Sequence, residues 1–465
     1  MTELEAALAE FLPPQRWFAG KGRSVAEVRV EGSVPLRIAL PSLSAVVVAV
    51  AYADGGVERY HVPVGHDRGL EARQLTDRAP GAVIYETKGP KGGPYYDAAR
   101  DERLGGVYLD LLSRAATVEE LRFYRMPEWT ETLRGPGKLL EGEQSNSSLV
   151  FGNRLILKLF RLLEPGENPE LEVTRALAGA GFTACAAPLG WIEGLGSTLG
   201  ILQPYYAGSV DGWKLATERV ADHYESKEGE PDNFVEDAGA LGRLTAELHE
   251  ALAGALPKVA EGQPDLGRLS ARLLGQLAQV AALVPELADQ RQAIEEVYSK
   301  AEAAGGGSRY LQRIHGDYHL GQVLKSGEKW IVIDFEGEPA RSLDERRRLA
   351  SPLQDVAGML RSFDYAAFQP LVLGEDPDTP GPTRDELARF EGPAAAWIEA
   401  NRNAFLDGYV ATAGDSGWLA GDHELLLRAF ELDKAVYEVM YEARHRPPWL
   451  QIPLGGIRRL LGASP

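Results

Sequence analysis

Residues 315–336 constrain this chain more than any other segment, because they place acidic and amide side chains around one predicted hairpin. The stretch begins with HGDYH at 315–319 and continues as QVLKSGEKWIVIDFE at 322–336. The runs QVLK and WIVIDF have the composition of strands, and the Ser-Gly-Glu between them is typical of a tight turn. If the segment folds back on itself, Gln322 lies close to Asp334, and Asp317 lies on the loop just before.

This arrangement is typical of the catalytic segment of protein kinases. There, a loop Asp accepts the proton of the attacking hydroxyl, while an Asn and a second Asp bind Mg²⁺. The sequence therefore predicts Asp317 as the catalytic base and as a contact to the substrate. Gln322 takes the place of the Asn, Asp334 is the second metal ligand, and Glu336 is a further candidate ligand.

Two histidines flank the predicted base, and their role is expected to differ from that of the carboxylates. Mg²⁺ prefers oxygen ligands to imidazole, so His315 and His319 are assigned to supporting the loop. His319, which flanks Asp317, is also a candidate contact to the substrate.

Composition excludes several classes of function. The chain has 465 residues, of which 44% are hydrophobic and 25% charged, as expected for a globular protein of two or three domains. A formal net charge of −19 opposes binding to the phosphate backbone of nucleic acids. The single cysteine, Cys185, permits no disulfide or cysteine zinc site within the chain. We recognise no secretion signal and no membrane span, so a cytoplasmic enzyme acting on small molecules is expected.

A polar loop earlier in the chain is a candidate nucleotide site. The run KLLEGEQSNSSLVFGNRLILKLF at 138–160 predicts three strands, with a polar turn between the first two and a Gly152-Asn153 turn before the third. Backbone N–H groups and small side chains in such a turn suit contact with ATP phosphates, although the loop alone fits an ordinary polar hairpin better. The candidates are Gln144, Ser145, Asn146, Ser147 and Ser148.

Lys158 strengthens the nucleotide hypothesis. It lies inside the apolar strand LILKLF, where an ammonium without a partner is costly, so an acidic partner is expected. In kinases a lysine on the third strand bridges the ATP phosphates and a helix Glu. Of the two acids on the following helix, Glu172 is predicted as the partner, and Glu170 is assigned to the helix dipole.

The segment GILQPYYAG at 200–208 reads as a strand ending in a hinge. A hinge backbone that contacts the adenine edge would make Gln203 and Tyr205 nucleotide-binding residues. A simple connection between lobes fits the segment equally well.

The segment ELDKAVYEVMYEARHRPPW at 431–449 predicts a helix with a polar and aromatic face. Charged groups on such a face can hydrogen-bond sugar hydroxyls, and tyrosine rings can pack on pyranoses. The candidate substrate residues are Asp433, Lys434, Tyr437 and Glu438. A solvent-facing helix with a tyrosine stripe in the core fits the pattern equally well.

With these residues identified, the chain resembles the bacterial maltokinases over nearly its whole length. The matching segments include RWFAGKGR at 16–23, GEQSNSS at 142–148, QRIHGDYHLGQVL at 312–324, DFEGEPARSLDERR at 334–347 and the helix at 431–449. The resemblance implies an α+β, bilobal, eukaryotic protein kinase-like fold of the aminoglycoside phosphotransferase type. An extra N-terminal cap is expected at residues 1–94, an intermediate subdomain completing the nucleotide-binding lobe at 95–205, and a mainly helical C-lobe at 206–465.

The same resemblance implies a reaction. ATP, with Mg²⁺, would phosphorylate maltose at the anomeric hydroxyl, giving maltose 1-phosphate for α-glucan and glycogen synthesis from trehalose-derived maltose. Asp317 would be the base, Gln322 and Asp334 the metal ligands, and Lys434 and Tyr437 part of the maltose site. The expected partners are ATP and maltose, together with a trehalose–maltose isomerase. Neither nucleic acid nor membrane is expected, and the protein is expected to be a monomer.

Two other functions are consistent with the sequence. Glucosamine kinases share this architecture but carry Asp after the metal-binding Asp-Phe pair, so Glu336 favours maltose over an amino sugar or aminoglycoside. The acidic charge, in contrast, would suit a cationic acceptor. The third reading is a pseudokinase that docks the isomerase, which the intact Lys158, Asp317 and Asp334 oppose. Tyr318, where the maltokinase pattern has Leu, is expected to change only local packing.

Overall fold

The computed structural model describes residues 2–90, 92–130, 133–140, 145–225, 234–304, 309–339, 341–371 and 384–462. The chain divides into two compact units. The N-terminal unit comprises residues 1–175 and 186–207, and the C-terminal unit comprises residues 176–185 and 208–465. Among the described helices, none is long and apolar enough to span a membrane.

The N-terminal unit contains two sheets. Its strands are β1 (Val25–Arg37), β2 (Ser42–Tyr52), β3 (Val57–His66), β4 (Val83–Glu86), β5 (Pro94–Asp97), β6 (Thr117–Val118), β7 (Leu121–Arg125), β8 (Lys138–Leu139), β9 (Asn146–Phe151), β10 (Leu155–Phe160), β11 (Leu162–Leu163), β12 (Gly190–Gly194) and β13 (Ser197–Pro204). Its helices are α1 (Glu3–Phe11), α2 (Leu70–Arg78), α3 (Glu102–Ser113) and α4 (Pro169–Gly179), the last crossing the division at residue 175.

The first sheet has the order β1-β2-β3-β5-β4, with β11 paired to β3. Its strand β2, SLSAVVVAVAY, is apolar at nearly every position, as expected for a strand buried on both faces. Val46, Val48 and Val50 pack in one cluster with α1, whereas Leu43 and Ala45 pack in another. The second cluster also contains apolar residues of α3 and of the second sheet, namely Leu104, Tyr108, Leu149, Leu157 and Leu202. The two sheets therefore share one hydrophobic core.

The second sheet has the order β6-β7-β12-β13-β10-β9-β8. The three predicted strands are confirmed as β8, β9 and β10, and the turn before β10 contains Gly152 and Asn153, both with positive φ. Lys158 lies opposite Ser148 on β9 and opposite Ile201 on β13, so the lysine is central in the sheet.

The C-terminal unit is mainly helical. Its helices are α5 (Gly212–Glu225), α6 (Val235–Ala255), α7 (Gln263–Leu283), α8 (Pro285–Ala288), α9 (Arg291–Ala303), α10 (Leu343–Arg346), α11 (Leu353–Phe368), α12 (Arg384–Ala413), α13 (His423–His445) and α14 (Gln451–Leu460). Its strands are β14 (Val210–Asp211), β15 (Lys258–Ala260), β16 (Tyr310–Gln312), β17 (Val323–Ser326) and β18 (Lys329–Val332). Helices α7, α9, α13 and α14 enclose one apolar core, so α13 is buried along one side.

Buried ion pairs join α11 to α13 and α14. Arg361 is 1% exposed and pairs with Asp364 and with Glu438, the latter at 2.7 Å. Arg459 lies 2.9 Å from the other oxygen of Asp364. Because isolated charges are costly inside a protein, this network fixes the three helices relative to one another.

Candidate active site

The predicted hairpin of the catalytic segment is confirmed. Strands β17 and β18 pair with Val323 opposite Val332, and Gly327 takes the positive φ of the turn. At the open end, the Ile333 N–H donates to the Gln322 carbonyl at 3.0 Å. Gln322 and Asp334 are therefore neighbours, as the sequence predicts.

Asp334 has a backbone conformation that is unusual for a residue with a side chain. Its φ is +63°, in the left-handed region. Such a conformation costs about 1–2 kcal/mol for most residues other than glycine, and strained residues of this kind cluster at functional sites. The strain is consistent with a carboxylate held at a required position.

A buried carboxylate that sequence reasoning missed anchors the catalytic loop. Asp355, near the start of α11, is 2% exposed and accepts hydrogen bonds from the N–H groups of His315 and Gly316 at 2.7 and 2.9 Å. The oxygen that accepts from His315, Oδ2, also lies 3.3 Å from His249 Nε2. Burial acts to raise the pKa of Asp355, but the hydrogen bond from His249, the nearby imidazoles of His249 and His315 and the hydrogen bond from the Gly316 N–H outweigh it and lower that pKa. Asp355 thus stays ionised and fixes the two residues before Asp317.

His315 links the loop to the strand that leads to Asp334. Its Nε2 lies 2.9 Å from the Ile333 carbonyl, and its Nδ1 lies 3.4 Å from the Asp317 N–H. Because the carbonyl can only accept, Nε2 is assigned the proton and Nδ1 accepts from the amide. The predicted supporting role of His315 agrees with these contacts.

Lys434 of α13 lies beside the predicted base. Its Nζ is 3.8 Å from Asp317 Oδ1 and 3.3 Å from Glu338 Oε2, and it lies 5.5 Å from the ring centre of Tyr437. Burial acts to lower the pKa of Lys434, but the carboxylates of Asp317, Glu338 and Glu438 outweigh it and raise that pKa. The ammonium is therefore charged, and Asp317, Lys434 and Tyr437 form one cluster, as predicted.

Glu338 is a residue of this cluster whose role the sequence pattern did not indicate. In the structure its backbone carbonyl accepts from the Arg341 N–H, but its carboxylate binds Lys434. The helix that supplies Lys434 is distant in sequence, so no local pattern could have revealed this pair.

His319 also lies next to the base. Its Nδ1 accepts from the Gly321 N–H at 3.0 Å, and its Nε2 is 3.9 Å from Asp317 Oδ2. Burial lowers the pKa of His319 despite the opposing effect of Asp317, so the ring is neutral at neutral pH. Because Nδ1 accepts a hydrogen bond, the neutral ring carries its proton on Nε2. This N–H can donate a hydrogen bond on the side of the ring that faces Asp317.

Two of the predicted substrate-binding residues form ion pairs with arginines. Asp433 binds Arg272 through both oxygens, at 2.8 and 3.3 Å, and Glu438 binds Arg361 at 2.7 and 3.0 Å. These ion pairs hold α13 against α7 and α11. The contacts give Asp433 and Glu438 structural roles, and this replaces the prediction that they bind sugar.

In the N-terminal unit, Lys158 has the acidic partner that its buried position requires, but not the predicted one. Lys158 Nζ lies 2.8 Å from Glu170 Oε2, with both side chains largely buried. Residues two apart on a helix are separated by about 200°, so Glu172 does not share the direction of Glu170. The choice of Glu172 was wrong, and the buried position of Glu170 explains why.

Gln203 supports this ion pair. Its Nε2 donates to Glu170 Oε1 at 3.3 Å and to the Ala186 carbonyl at 2.8 Å. The side chain is thus directed at Glu170. The neighbouring Tyr205 donates its backbone N–H to the Arg154 carbonyl at 2.8 Å and is half-buried. Direct contact of either residue with a nucleotide stays a prediction.

The predicted phosphate loop is described in part, since Gln144 lies outside the described residues. Ser145 precedes β9, and its hydroxyl accepts from Asn146 Nδ2 at 3.3 Å. Because Ser148 lies directly opposite Lys158, Ser148 and Asn146 share the lysine's face of the sheet. Ser147 faces the other side and accepts from Arg161 Nε at 2.8 Å, which corrects its assignment to the nucleotide.

Comparison with known proteins places the two parts of the chain in described families. Residues 11–101 match the model of the maltokinase N-terminal cap domain. Residues 137–390, more than half of the chain, match the model of the phosphotransferase enzyme family.

Two relatives are named glucosamine kinase. One, from Streptacidiphilus jiangxiensis, is 32% identical over 328 residues, which cover 67% of this chain and 70% of the relative. The other, from Mycolicibacterium smegmatis, is 26% identical over 404 residues, which cover 85% of this chain and 97% of the relative.

A solved structure of a glucosamine kinase in complex with glucosamine, ADP and inorganic phosphate aligns with a TM-score of 0.69 and 24% identity. The alignment covers 97% of this chain and 99% of that one. The predicted kinase-like fold with an added cap is confirmed.

Proposed function

Because this chain belongs to the phosphotransferase enzyme family and carries a maltokinase-type cap, we propose that it is a kinase that transfers the γ-phosphoryl group of ATP to glucosamine. The chief support is the cluster in which Asp317 and Glu338 flank the Lys434 ammonium, at 3.8 and 3.3 Å. A half-buried carboxylate on a rigid loop, beside donors for a polyol, suits the activation of a hydroxyl.

In the proposed reaction Asp317 takes the proton of the acceptor hydroxyl. The hydroxyl oxygen forms a bond to the γ-phosphorus while the bond from that phosphorus to the ADP oxygen breaks, and ADP leaves with the electron pair. The contacts of Asp355 and His315 hold the loop, so the base is positioned before the acceptor arrives. Lys434 and neutral His319 are proposed to donate to acceptor oxygens.

The residues near the hairpin end fit Mg²⁺. Asp334 and Glu336 offer carboxylate oxygens and Gln322 an amide oxygen, which are the hard ligands that this ion prefers. When bound, Mg²⁺ neutralises charge on the phosphates. The hydrogen bond from Ile333 to Gln322 and the left-handed conformation of Asp334 fix these donors at one end of the hairpin.

In the N-terminal unit, Lys158 is proposed to bind ATP phosphates, with Glu170 and Gln203 holding its side chain. Ser145, Asn146 and Ser148 are proposed as further phosphate contacts. We retain as predictions the division into a cap at 1–94, an intermediate part at 95–205 and a C-lobe at 206–465. A monomeric state, a cytoplasmic location and an isomerase partner are also still predictions.

Charge favours an amine-bearing acceptor. Asp433 and Glu438 are neutralised by arginines, but among the described residues Asp317 and Glu338 have only the Lys434 ammonium as a cationic partner. This cluster therefore retains negative charge that attracts the ammonium of glucosamine. The two relatives named glucosamine kinase support the same acceptor, and we weigh them above the sequence argument from Glu336 for maltose.

Maltose is the second candidate, with maltose 1-phosphate as its product. The match to the maltokinase cap model favours it, as does the aromatic side of α13 next to Lys434. Tyr437 and the exposed Tyr441 lie one helical turn apart, a spacing that suits packing against two successive sugar rings. Phosphorylation of maltose would feed α-glucan and glycogen synthesis.

Measurement of ADP release with glucosamine, maltose, glucose and an aminoglycoside tests the proposal. We expect the highest kcat/KM with glucosamine, and a dependence on added Mg²⁺. Glu338→Gln should raise the KM for glucosamine at least about tenfold, since it removes a charged contact. Asp433→Asn, which removes a carboxylate beside Lys434 on α13 that is already paired with Arg272, is the matched control and should change that KM little. A higher kcat/KM with maltose than with glucosamine would show that maltose is the acceptor. If none of the four sugars supports ADP release, the proposed function is refuted.

A further inference from the structure

The N-terminal unit contains a cavity of about 680 Å³. It lies among α1, the following loop, the end of α2, β4 and the start of β9. Its wall includes Phe11, Arg16, Trp17, Arg78, Arg100 and Arg161. Arg16 and Trp17 begin the RWFAGKGR segment.

Most of that segment has a structural role. Phe18 stacks on Tyr60 with ring centres 5.0 Å apart, and the Ala19 N–H donates to the hydroxyl of the same tyrosine. Arg23 binds Asp54 through two nitrogens, at 2.8 and 3.1 Å. Arg16, in contrast, is exposed at the cavity, and packing does not account for it.

The cavity carries an excess of positive charge. In the part of the chain that the structure describes, Arg16, Arg78 and Arg100 have no carboxylate partner; Arg78 Nε donates only to the Gln74 carbonyl of its own helix. Of the two acidic residues in the wall, Asp97 neutralises Arg161 at 2.6 Å, which leaves Glu10 against three guanidinium groups. Such a basic surface stands out in a chain with a net charge of −19.

The cavity indicates the chemistry of its ligand. Guanidinium groups match the geometry of phosphate oxygens, and three of them suit a dianion. The volume lies in the range of about 300–1,000 Å³ that small-molecule pockets have, larger than inorganic phosphate needs. Trp17 and Phe11 add an apolar side of the kind that packs on a sugar ring. We propose that this cavity, which the cap forms together with Arg100, Arg161 and the start of β9, is a second binding site, here called the cap site, for a phosphorylated sugar.

The cavity also reaches the strand that carries the predicted phosphate contacts. Arg161 packs over the Trp17 ring at 4.6 Å, pairs with Asp97 and donates to the Ser147 hydroxyl at 2.8 Å. Ser147 lines the cavity, while its neighbour Ser148 faces Lys158 on the other side of the sheet. A bound sugar phosphate would therefore change the position of β9 and the KM for ATP. This second step rests on the proposed function, because it treats β9 as part of the ATP site.

Binding is tested by isothermal titration of the full-length protein with glucosamine 6-phosphate, inorganic phosphate and glucosamine. We expect the sugar phosphate to bind more tightly than phosphate and to weaken at least about tenfold in the Arg78→Ala/Arg100→Ala variant, since two charged contacts are lost. The matched control is Arg73→Ala, an exposed arginine of α2 outside the cavity wall, which should bind like the parent. Equal affinity in all three proteins would overturn the site, and equal affinity for inorganic phosphate would overturn the sugar part of the assignment.

The Lys434→Ala variant distinguishes binding of glucosamine 6-phosphate at the cap site from its binding at the acceptor site. Retained binding of glucosamine 6-phosphate in that variant supports the cap site, and its loss there but not in the arginine variant refutes it. Since titration needs no turnover, it decides the cap site even if the proposed reaction fails. If turnover is observed, glucosamine 6-phosphate should change the KM for ATP in the parent but not in the arginine double variant. An unchanged KM in the parent would refute the coupling.

Discussion

Replacing Asp355 by Asn should destabilise the loop that carries Asp317, because Asp355 binds the backbone of that loop. The carboxylate accepts from the N–H groups of His315 and Gly316 and contacts His249, all within 3.3 Å. Asn has one acceptor oxygen and presents an NH₂ group in place of the other, so at least one buried N–H loses its partner. Hydrogen bonds to charged groups contribute about 1.5–3 kcal/mol each, and an unsatisfied buried donor costs about 1–3 kcal/mol. We therefore expect a loss of about 2–5 kcal/mol in the free energy of unfolding.

Urea unfolding, followed by far-ultraviolet circular dichroism, measures this loss. The control is Asp433→Asn, which breaks the ion pair with Arg272. Because the Arg272 side chain is 43% exposed, loss of this pair should lower the free energy of unfolding by no more than about 1 kcal/mol. In the folded fraction, kcat should fall at least about tenfold while the KM for ATP changes little, because the loop carries Asp317. A destabilisation by Asp355→Asn no larger than that of the control, with normal kcat, would refute the anchoring role.

Four further outcomes follow from the contacts. Since the folded-state pKa of Asp355 is lowered, its contribution to stability should be complete above about pH 4 and lost as pH falls below that value, so the stability difference between parent and Asp355→Asn should shrink toward pH 3 in urea titrations. Glu170→Gln should raise the KM for ATP at least about tenfold by releasing Lys158, whereas Glu172→Gln should not; equal effects would contradict the corrected pairing. Arg361→Met should lower the free energy of unfolding by about 3–5 kcal/mol, because Glu438 is left buried without its partner, and a loss below about 1 kcal/mol in urea unfolding would argue against the network. Asp317→Asn should abolish ADP release while ATP still binds by titration, and near-normal turnover would exclude the base assignment.

Local patterns predicted the elements of this fold better than the contacts between them. The hairpin at 323–332 and the three strands around Lys158 follow from apolar runs and turn residues, and both are confirmed. The requirement that Lys158 have an acidic partner was also predicted, since it depends only on the apolar strand around it. Whether Glu170 or Glu172 is that partner depends on the rotation of α4 about its axis, and this rotation cannot be deduced from the local sequence pattern.

Strand alternation would have improved one prediction. Once Lys158 is placed opposite Ser148, Ser147 must face the other side of the sheet, so the assignment of Ser147 to the nucleotide could have been rejected from the register alone. Glu338 and Asp355 are different, because their partners come from segments about 40 to 100 residues away. Only the folded chain shows that these carboxylates meet Lys434 and the loop before Asp317.

The core shared by the two sheets of the N-terminal unit has a consequence for how such proteins diversify. Leu43 and Ala45 of the first sheet lie in the same cluster as Leu149 and Leu157 of the second. A fragment ending between the sheets would expose apolar side chains on both sides of the break. Recombination should therefore exchange the cap and the sheet carrying Lys158 as a single block. A gene that encoded the cap without that sheet would give a protein with exposed apolar side chains, which is prone to aggregation.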